Sequence, residues 1–407
     1  MKNIYVIDEH QTSKRNGVGT FIKEFIYCLQ QLNVNICLIS FNADVKEFNI
    51  EEKGDGIKYI DFPPFPGVFP TFSIIIEKFF RLYIEDSSEN IFFFNHFPCD
   101  DFLKTVKKSH PLSKLLFVIH DQGWTTMLKG DDKKLEEIIQ EQEDNTIRKE
   151  HKYIIDRFEV DLKTYNAADG VISLSEDTFS IMRNIYKKTD NLYMIANGCR
   201  DRCDYPVSKQ QKLNIREKLN IDKEEKVLIY TGRLSKAKGT EVLIKSFNKI
   251  AKEIPKIRLI VTGSSNNKEY YHHLFNLSRE VASKISFPGH ILHEELDNWY
   301  KMADIGIFPS YVEQCSYSGI EMMMYGLPII ASDGFGVKCM FIDGMNAKIV
   351  KTGQSEDEFE SNLTDGIREL LQSESMCNIL GKKARKTFEI KYNIDKMLNE
   401  YNNSFIR

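Results

Sequence analysis

The stretch that decides the fold is residues 304–332, which read DIGIFPSYVEQCSYSGIEMMMYGLPIIAS. Residues 304–308 have the length and apolar content of a buried strand, and residues 328–331 form a second run of this kind. Between them the backbone is predicted to turn into a helix after Glu313. A strand, a loop, a helix and a strand make a βαβ unit with parallel strands. In such sheets, ligands bind at the carboxyl ends of the strands, where the loop after residue 308 lies.

The same pattern opens both halves of the chain. Residues 3–8 are an apolar run, followed by a loop with Gly17 and Gly19 and a helical pattern from about Phe21 to Leu32. Residues 226–231 are followed by the loop 232–239 and a helical pattern over 240–253. Further buried strands are predicted at 34–40, 91–95, 115–120, 170–174, 192–195, 257–262 and 347–350.

The length of 407 residues exceeds what one hydrophobic core usually serves, so two domains are expected. Both are predicted to be α/β and Rossmann-like. The polar stretch 201–225 is interpreted as a linker plus a short helix. We therefore expect an N-terminal domain over 1–203 and a C-terminal domain over 204–385.

Composition narrows the class of protein. Hydrophobic residues make up 42% and charged residues 28%, as in ordinary globular proteins, and the net charge is -4. The basic residues are scattered, which argues against nucleic-acid binding by bulk electrostatics. No stretch approaches the roughly 20 apolar residues of a membrane span, and the N-terminus reads as a strand and not as a signal peptide. The eight cysteines lack framework spacing, which favours reduced thiols and a cytoplasmic protein.

Two cations follow the first strand of the second half. Arg233 presents a planar fork suited to phosphate, and Lys238 carries a mobile point charge. On one loop leading into a helix, both can converge on a single diphosphate. The alternative is that they are solvated surface cations. No Asp-x-Asp pair follows a strand, so no metal site is predicted.

Glu313 and Glu321 are the candidate carboxylates. Their spacing corresponds to about 80° of rotation on one helix, which argues against a face-to-face acid/base pair. A better geometry places Glu313 in the loop and Glu321 inside the helix, each touching a different part of one elongated ligand. The helix N-terminus near Ser316–Ser318 would offer N–H groups to a diphosphate. The alternative is that Glu313 caps the helix and Glu321 is a surface charge.

Taken in chain order, these features resemble glycosyltransferase family 4, which has the GT-B fold. The stretch Pro309-Ser310, then Glu313, seven residues, Glu321 and finally Gly-Leu-Pro-Ile-Ile-Ala-Ser is similar to the donor-binding motif of that family. Other landmarks match in the same order: Gly17-Val18-Gly19, His120, Ser173-Leu174-Ser175, Asn197-Gly198, Gly232-Arg233 with Lys238, and Val261-Thr262-Gly263. The resemblance covers nearly the whole chain.

The resemblance implies retaining, metal-independent transfer of a hexose-type sugar from a nucleotide diphosphate sugar such as a UDP-sugar, with no further cofactor. The site would lie in the cleft between the two domains. It implies that Glu313 lies beside the transferred sugar, that Glu321 binds ribose hydroxyls and that His120 contacts the sugar. The implied catalytic residues are Glu313, Arg233, Lys238 and His120; the implied donor-binding residues are Gly17, Gly19, Gly232, Gly263, Ser316, Tyr317, Ser318 and Glu321.

Further expectations follow from the family. The last helix, residues 386–407, would cross back to the N-terminal domain through Ile394, Met397, Leu398 and Tyr401. By their residue pattern alone, residues 72–84 read as an amphipathic helix; core and loop packing is the first interpretation, and contact with the acceptor or with the inner face of a membrane is the second. The acceptor stays open among a glycan, a lipid-linked sugar, a peptide and a small molecule.

The chain departs from the family at Gln314-Cys315-Ser316, where the family usually has Pro-Phe-Gly. This departure leaves the exact donor open, and it leaves open a sugar-nucleotide-binding partner subunit with weakened catalysis. A GT-B sugar-nucleotide epimerase is a separate rival interpretation. A dinucleotide-dependent dehydrogenase is disfavoured, because Ile22 occupies the position of the third glycine of its fingerprint.

Overall fold

The computed structural model describes residues 1–13, 17–64, 69–95 and 100–407. The chain forms two compact units: unit 1 comprises residues 1–197 and 394–407, and unit 2 comprises residues 198–393. The sequence placed these boundaries at 203/204 and 385/386. Residues 198–203 belong to unit 2 because Cys199 donates its N–H to the carbonyl of Tyr392 (3.0 Å), and Asp201 forms an ion pair with Arg385.

Unit 1 is built on one large sheet. Its strands are β1 (Asn3–Glu9), β2 (Asn35–Phe41), β3 (Asn49–Glu52), β4 (Ile57–Asp61), β5 (Asn90–Asn95), β6 (Lys114–Ile119), β7 (Gly170–Ser173) and β8 (Leu192–Met194). Its helices are α1 (His10–Ser13), α2 (Gly17–Gln30), α3 (Phe69–Tyr83), α4 (Asp100–Ser109), α5 (Gly123–Met127), α6 (Asp132–Glu143), α7 (Lys152–Ala167) and α8 (Glu176–Asn184). The C-terminal helix of the chain (Ile394–Tyr401) also belongs to unit 1.

The sheet of unit 1 has the order β3-β4-β2-β1-β5-β6-β7-β8. All neighbouring pairs are parallel except β3 with β4. The central strands read as continuous apolar runs because helices cover both faces of a parallel sheet; every residue of β5, for example, is buried. The sequence missed β3 and β4, since β3 is a short polar edge strand without a periodic apolar pattern.

Unit 2 carries a smaller, wholly parallel sheet. Its strands are β9 (Lys226–Thr231), β10 (Ile257–Thr262), β11 (Ile285–Gly289), β12 (Ile305–Phe308), β13 (Ile329–Ser332) and β14 (Lys348–Val350), in the order β11-β10-β9-β12-β13-β14. Its helices are α9 (Lys209–Lys218), α10 (Thr240–Glu253), α11 (Lys268–Leu277), α12 (His293–Met302), α13 (Tyr317–Met324), α14 (Val337–Met340), α15 (Glu356–Gln372) and α16 (Glu374–Thr387). The chain order reverses between β9 and β12, and such a reversal opens a crevice at the carboxyl ends of the strands.

The C-terminal segment returns to unit 1. After α16, a π-helical turn (Phe388–Tyr392) leads to α17 (Ile394–Tyr401) and to a second π-helical turn (Asn402–Ile406). Within unit 1, the Tyr401 ring packs against Phe25 of α2 at 4.6 Å and Phe93 of β5 at 5.9 Å between centroids. Met397 is buried as well, whereas Ile394 and Leu398 are half-buried.

Two other expectations meet the structure here. The prediction that Gly17 and Gly19 lie in a loop is wrong, because both glycines lie in the first turn of α2. This helix starts four residues before the predicted start. The amphipathic helix is present as α3; it buries Ile76 and Phe80 and exposes Leu82, whereas residues 65–68 of the preceding stretch lie outside the described part of the chain. Among the described residues, no helix combines the length and apolar content needed to cross a bilayer.

Candidate active site

The crevice between β9 and β12 collects the predicted donor-binding loops of unit 2. The loop after β9 carries Arg233 and Lys238, and the loop after β12 carries Glu313. The two loops are joined by a hydrogen bond from the Tyr311 N–H to the Ala237 carbonyl (2.9 Å). Gly239 tightens this contact, since its φ is +66° and a Cβ there would overlap the carbonyl oxygen of Pro309.

Lys238 and Glu313 form an ion pair with 2.7 Å between Nζ and Oε2. Only 17% of the Lys238 side chain and 10% of the Glu313 side chain are exposed. Lys238 Nζ also donates to the carbonyl of Val312 at 3.1 Å. The predicted phosphate-binding cation and the predicted catalytic carboxylate are thus adjacent, which their 75-residue separation in the chain could not reveal.

Arg233 differs from Lys238 in its surroundings. Its side chain is exposed, and among the described residues it makes no ion pair. Its backbone is held in place, because Tyr230 donates its hydroxyl to the Arg233 carbonyl at 2.8 Å. The guanidinium therefore has a fixed base and an open end, as a group that meets an external anion requires.

Gly263 lies beside Gly232 at the ends of β10 and β9. Its φ is +126°, and a Cβ at this position would overlap the carbonyl oxygen of Gly232. Gly263 also lines a cavity of about 270 Å³, together with Ser264, Lys268 and Tyr271. A largely apolar cavity with an aromatic wall thus adjoins Gly263, next to Gly232.

Helix α13 begins at Tyr317 with Ser316 as its N-cap, as the sequence predicted for this stretch. The side chains of Ser316 and Ser318 hydrogen-bond to each other at 2.9 Å between Oγ atoms. In any α-helix the first N–H groups have no acceptor within the helix, so its N-terminus favours an anion. Glu313 precedes this helix and is not its cap, which excludes one alternative interpretation.

Glu321 lies inside α13 and is 3% exposed, so it is not a surface charge. Its Oε1 accepts from Arg202 Nη2 at 3.0 Å, and its Oε2 accepts from the hydroxyl of Tyr300 at 2.9 Å. The Tyr300 hydroxyl is also 2.7 Å from Thr231 Oγ1. The sequence did not identify Arg202 or Tyr300, because neither belongs to the motif that singles out Glu321. Whether Glu321 meets ribose stays a prediction.

The remaining predicted site residues belong to unit 1. His120 follows β6, and its Nε2 is 3.1 Å from Asn95 Oδ1 at the end of β5. Asn95 is fully buried and donates its Nδ2 to the carbonyl of Ile7 at 3.3 Å, so its oxygen is the acceptor and His120 Nε2 donates. The ring of Phe21 packs edge-on against His120 at 4.7 Å. Asn95 thus orients His120. The sequence did not identify Asn95, and the only signal for it was its position at the end of a predicted strand.

No set of three or more His, Cys, Asp or Glu side chains in the described part of the chain could hold a metal ion. Cys199 and Cys203 are both buried, and neither forms a disulfide bond with a described residue. Burial raises the pKa of the Cys203 thiol to about 11, which keeps it protonated near neutral pH.

Comparison with known proteins defines the class. Residues 211–387 match the family described as glycosyl transferases group 1, and these residues carry both donor-binding loops. The predicted resemblance to a glycosyltransferase family is thereby confirmed. An uncharacterized glycosyltransferase of Methanocaldococcus jannaschii is 30% identical over 181 residues, covering 43% of this chain and 45% of that protein. The chain spans about half the length of the first curated relatives it matches.

Solved structures show the fold of the whole chain. Sucrose-phosphate synthase from Thermosynechococcus elongatus superposes with a TM-score of 0.76 at 19% identity, covering 99% of this chain and 98% of that one. HepE from Anabaena, solved in complex with UDP-glucose, gives a TM-score of 0.73 at 13% identity and covers 99% of both chains. The predicted fold class, two Rossmann-like α/β domains of the GT-B kind, is confirmed.

Proposed function

We propose that the chain is a retaining, metal-independent glycosyltransferase that moves a hexose-type sugar from a nucleotide diphosphate sugar. The observation that supports this most directly is the meeting of Lys238 with Glu313 at the strand-order reversal of unit 2. Arg233 and the N-terminus of α13 belong to the same pair of loops. One carboxylate, two cations and a helix N-terminus match the charges that develop when a glycosyl diphosphate splits.

Each group has a defined task in this proposal. As the bond from the anomeric carbon to the diphosphate oxygen breaks, negative charge grows on the leaving diphosphate. Arg233, Lys238 and the first N–H groups of α13 stabilise that charge without a metal ion. Positive charge grows on the sugar ring, and Glu313 stabilises it. The acceptor oxygen then bonds to the anomeric carbon on the face that the diphosphate left, and the acceptor proton goes to the leaving group or to solvent.

We place the nucleotide at the carboxyl ends of β9 and β10. Gly232 and Gly263 allow close approach of a ligand there, and the neighbouring cavity at Tyr271 suits a base. Glu321 is assigned to the ribose and His120 to the sugar. UDP is the first nucleotide to test, since HepE, a protein of the same fold, was solved with UDP-glucose.

The test begins with donor identification. UDP-, GDP- and ADP-sugars are screened by the rise in Tm, because a ligand that binds the folded state raises apparent stability by mass action. The best donor is then incubated with and without candidate acceptors, and the release of nucleoside diphosphate is measured. Slow hydrolysis of one donor without acceptor would support catalysis. Binding without any turnover would favour the partner subunit, and a changed sugar without transfer would favour the epimerase.

Two further measurements address metal and stereochemistry. Transfer is expected to proceed unchanged in excess EDTA, because the cations of the site take the place of a divalent ion. NMR of the product is expected to show the anomeric configuration of the donor. Loss of turnover on chelation, restored by Mg²⁺ or Mn²⁺, would contradict metal independence, and an inverted product would contradict retention.

A further inference from the structure

The carboxylate of Glu321 is engaged on both oxygens by neighbours within unit 2. Arg202 Nη2 donates to Oε1 at 3.0 Å, and the Tyr300 hydroxyl donates to Oε2 at 2.9 Å. Only 4% of the Glu321 side chain is exposed. A ribose hydroxyl must come within about 3 Å of a carboxylate oxygen to hydrogen-bond with it. With this burial, one of the two partners has to move before ribose can reach Glu321.

Arg202 is the partner that can leave. Tyr300 is fully buried, stacks on Tyr325 at 5.4 Å between centroids, and shares its hydroxyl with Thr231. Arg202 is 21% exposed at its side chain and has a second anionic partner, since its Nε lies 3.2 Å from Asp297 Oδ1. If the guanidinium released Glu321, it would keep Asp297 and would not become an unpaired buried charge.

The charges around Arg202 agree with this arrangement. Burial lowers the pKa of the guanidinium, but the carboxylates of Glu321 and Asp297 together raise it above its ordinary value. Arg202 is therefore charged throughout, and both carboxylates attract it. The structure has Arg202 bound to both, so moving it from two partners to one costs free energy that a ligand has to supply.

We propose that Arg202 competes with the ribose of the nucleotide for Glu321 and thereby lowers the affinity of the site for nucleotides that carry the ribose hydroxyls. This rests on the proposed function, in which Glu321 binds ribose. A full ribose offers two vicinal hydroxyls to the carboxylate and offsets the loss of the Arg202 contact. A nucleotide without these hydroxyls leaves Arg202 in place, so Arg202 weakens ribonucleotide binding and reduces the preference of the site for ribose over dideoxyribose.

Calorimetric titration of UDP, GDP and ADP into the full chain tests the exchange, and the best-binding diphosphate is compared with its 2′,3′-dideoxy analogue. Arg202→Gln is expected to bind the ribonucleotide about tenfold more tightly than the wild type, the scale of one charged hydrogen bond. The dideoxy analogue is expected to gain less, because it makes no bond to Glu321. Unchanged or weaker ribonucleotide binding by folded Arg202→Gln would overturn the exchange.

Asp297→Asn provides the matched control. It removes the second partner of Arg202, so release of Glu321 becomes costlier and ribonucleotide binding is expected to weaken. The double variant is expected to return to the affinity of Arg202→Gln, because no guanidinium remains to be held. If the effects of the two substitutions on ribonucleotide affinity simply added in the double variant, the exchange would be contradicted.

Three further results separate the exchange from other causes. If Arg202→Gln does not fold, Arg202→Lys keeps the charge but loses the fork, and it is expected to show a smaller gain in ribonucleotide affinity; no gain would overturn the exchange. If neither the wild type nor the variants bind any of the three diphosphates, the proposed function fails, and the exchange fails with it. Ribonucleotide binding with no difference among the variants rejects the exchange alone.

Discussion

Arg233 and Lys238 read as similar cations in the sequence, but they have different surroundings in the fold. Lys238 is mostly buried and paired with Glu313, whereas Arg233 is exposed. A buried ion pair leaves an uncompensated charge when one member is removed, while an exposed cation can be lost without that cost. The two substitutions to alanine should therefore separate catalysis from stability.

Arg233→Ala is expected to lower kcat/KM by about 10² or more with an unchanged Tm, since it removes one preorganised charge from the leaving group. Lys238→Ala is expected to lower kcat/KM by a similar factor and to lower the Tm as well, because the Glu313 carboxylate loses its cation. Steady-state kinetics and thermal unfolding of both variants check this. Full turnover in both would remove the phosphate role from the proposal.

Glu313 and Glu321 are expected to affect different kinetic constants. Glu313→Gln should mainly lower kcat, because a carboxylate beside the sugar gains most as positive charge develops there. Glu321→Gln should mainly raise KM, because a contact with ribose acts in the ground state and the transition state alike. Initial rates over a range of donor concentrations give both constants. A rise in KM alone for both variants would mean that Glu313 is not at the reacting carbon.

At the scale of elements, Gly239 decides how closely the loop after β9 approaches the loop after β12. Its φ of +66° costs any other residue strain, and its Cβ would collide with the Pro309 backbone. Gly344 has a nearly equal φ of +63° but nothing within 4 Å of a Cβ. Comparing alanine substitutions at Gly239 and Gly344 therefore separates the cost of the backbone conformation from the cost of the steric clash.

Gly344→Ala is expected to cost only about 1 kcal/mol and to leave kcat unchanged. Gly239→Ala is expected to destabilise the protein more and to weaken donor binding, because the Pro309 backbone has to shift and Glu313 follows it. Denaturant unfolding and donor titration measure both effects. Identical behaviour of the two variants would show that this contact does not position the loops.

Tyr401 is the largest buried side chain of the C-terminal helix α17. Tyr401 is 1% exposed and packs on Phe25 and Phe93. Its hydroxyl is buried and has no hydrogen-bond partner in the described part of the chain. The ring therefore stabilises the unit, while the hydroxyl adds nothing.

Tyr401→Ala is expected to lower the free energy of unfolding of unit 1 by about 3–5 kcal/mol, the usual cost of removing a buried aromatic ring. Tyr401→Phe is the matched control and is expected to keep or raise stability, since it removes only the unsatisfied hydroxyl. Chemical denaturation of both variants checks the difference. A loss for Tyr401→Phe as large as that for Tyr401→Ala would show that the hydroxyl, and not the ring, stabilises the unit.

At the scale of the whole molecule, one buried carboxyl makes stability depend on pH. Burial raises the pKa of Asp161 from 3.8 to about 7, despite hydrogen bonds from Tyr186 and the Gly123 N–H and the charge of Arg157, and the Asp121 carboxylate adds to the rise. Between these two values the folded state holds a proton that the unfolded state has released. The contribution of Asp161 to the free energy of unfolding is therefore fully present below about pH 4 and is lost as the pH rises to about 7.

The free energy of unfolding of unit 1 is expected to fall over this range, at most by about 1.4 kcal/mol per pH unit. Asp161→Asn is expected to reduce that fall, because the group no longer titrates. The fully buried Trp124 reports on unit 1 in a Trp299→Phe background, since the chain has two tryptophans. Urea unfolding at pH 5 and pH 8 with and without Asp161→Asn measures the difference, and equal slopes in both proteins would contradict the assignment.

Local pattern explains which features could be predicted. Strands β9 and β12 are continuous apolar runs. Arg233 and Lys238 follow β9, and Glu313 follows β12, so the sequence predicts that all three lie at the same edge of the sheet. The helix after Ser316 also follows from local pattern. By contrast, β3 carries no apolar period, and Gly17 starts a helix where glycine usually signals a loop.

The sequence by itself determined the two α/β halves and the order of the loops, because these depend on periodicity and spacing within short stretches. The resemblance of the motif at 309–332 to a known family singled out Glu313 and Glu321. Only the tertiary structure decided that Lys238 pairs with Glu313, that Arg202 covers Glu321, and that Tyr401 of α17 packs on Phe25 and Phe93 of unit 1. These contacts join residues 75, 119 and more than 300 positions apart. Which residues become partners depends on the order of the strands and on which charges and rings are buried together in the folded chain. Spacing along the chain encodes neither of these.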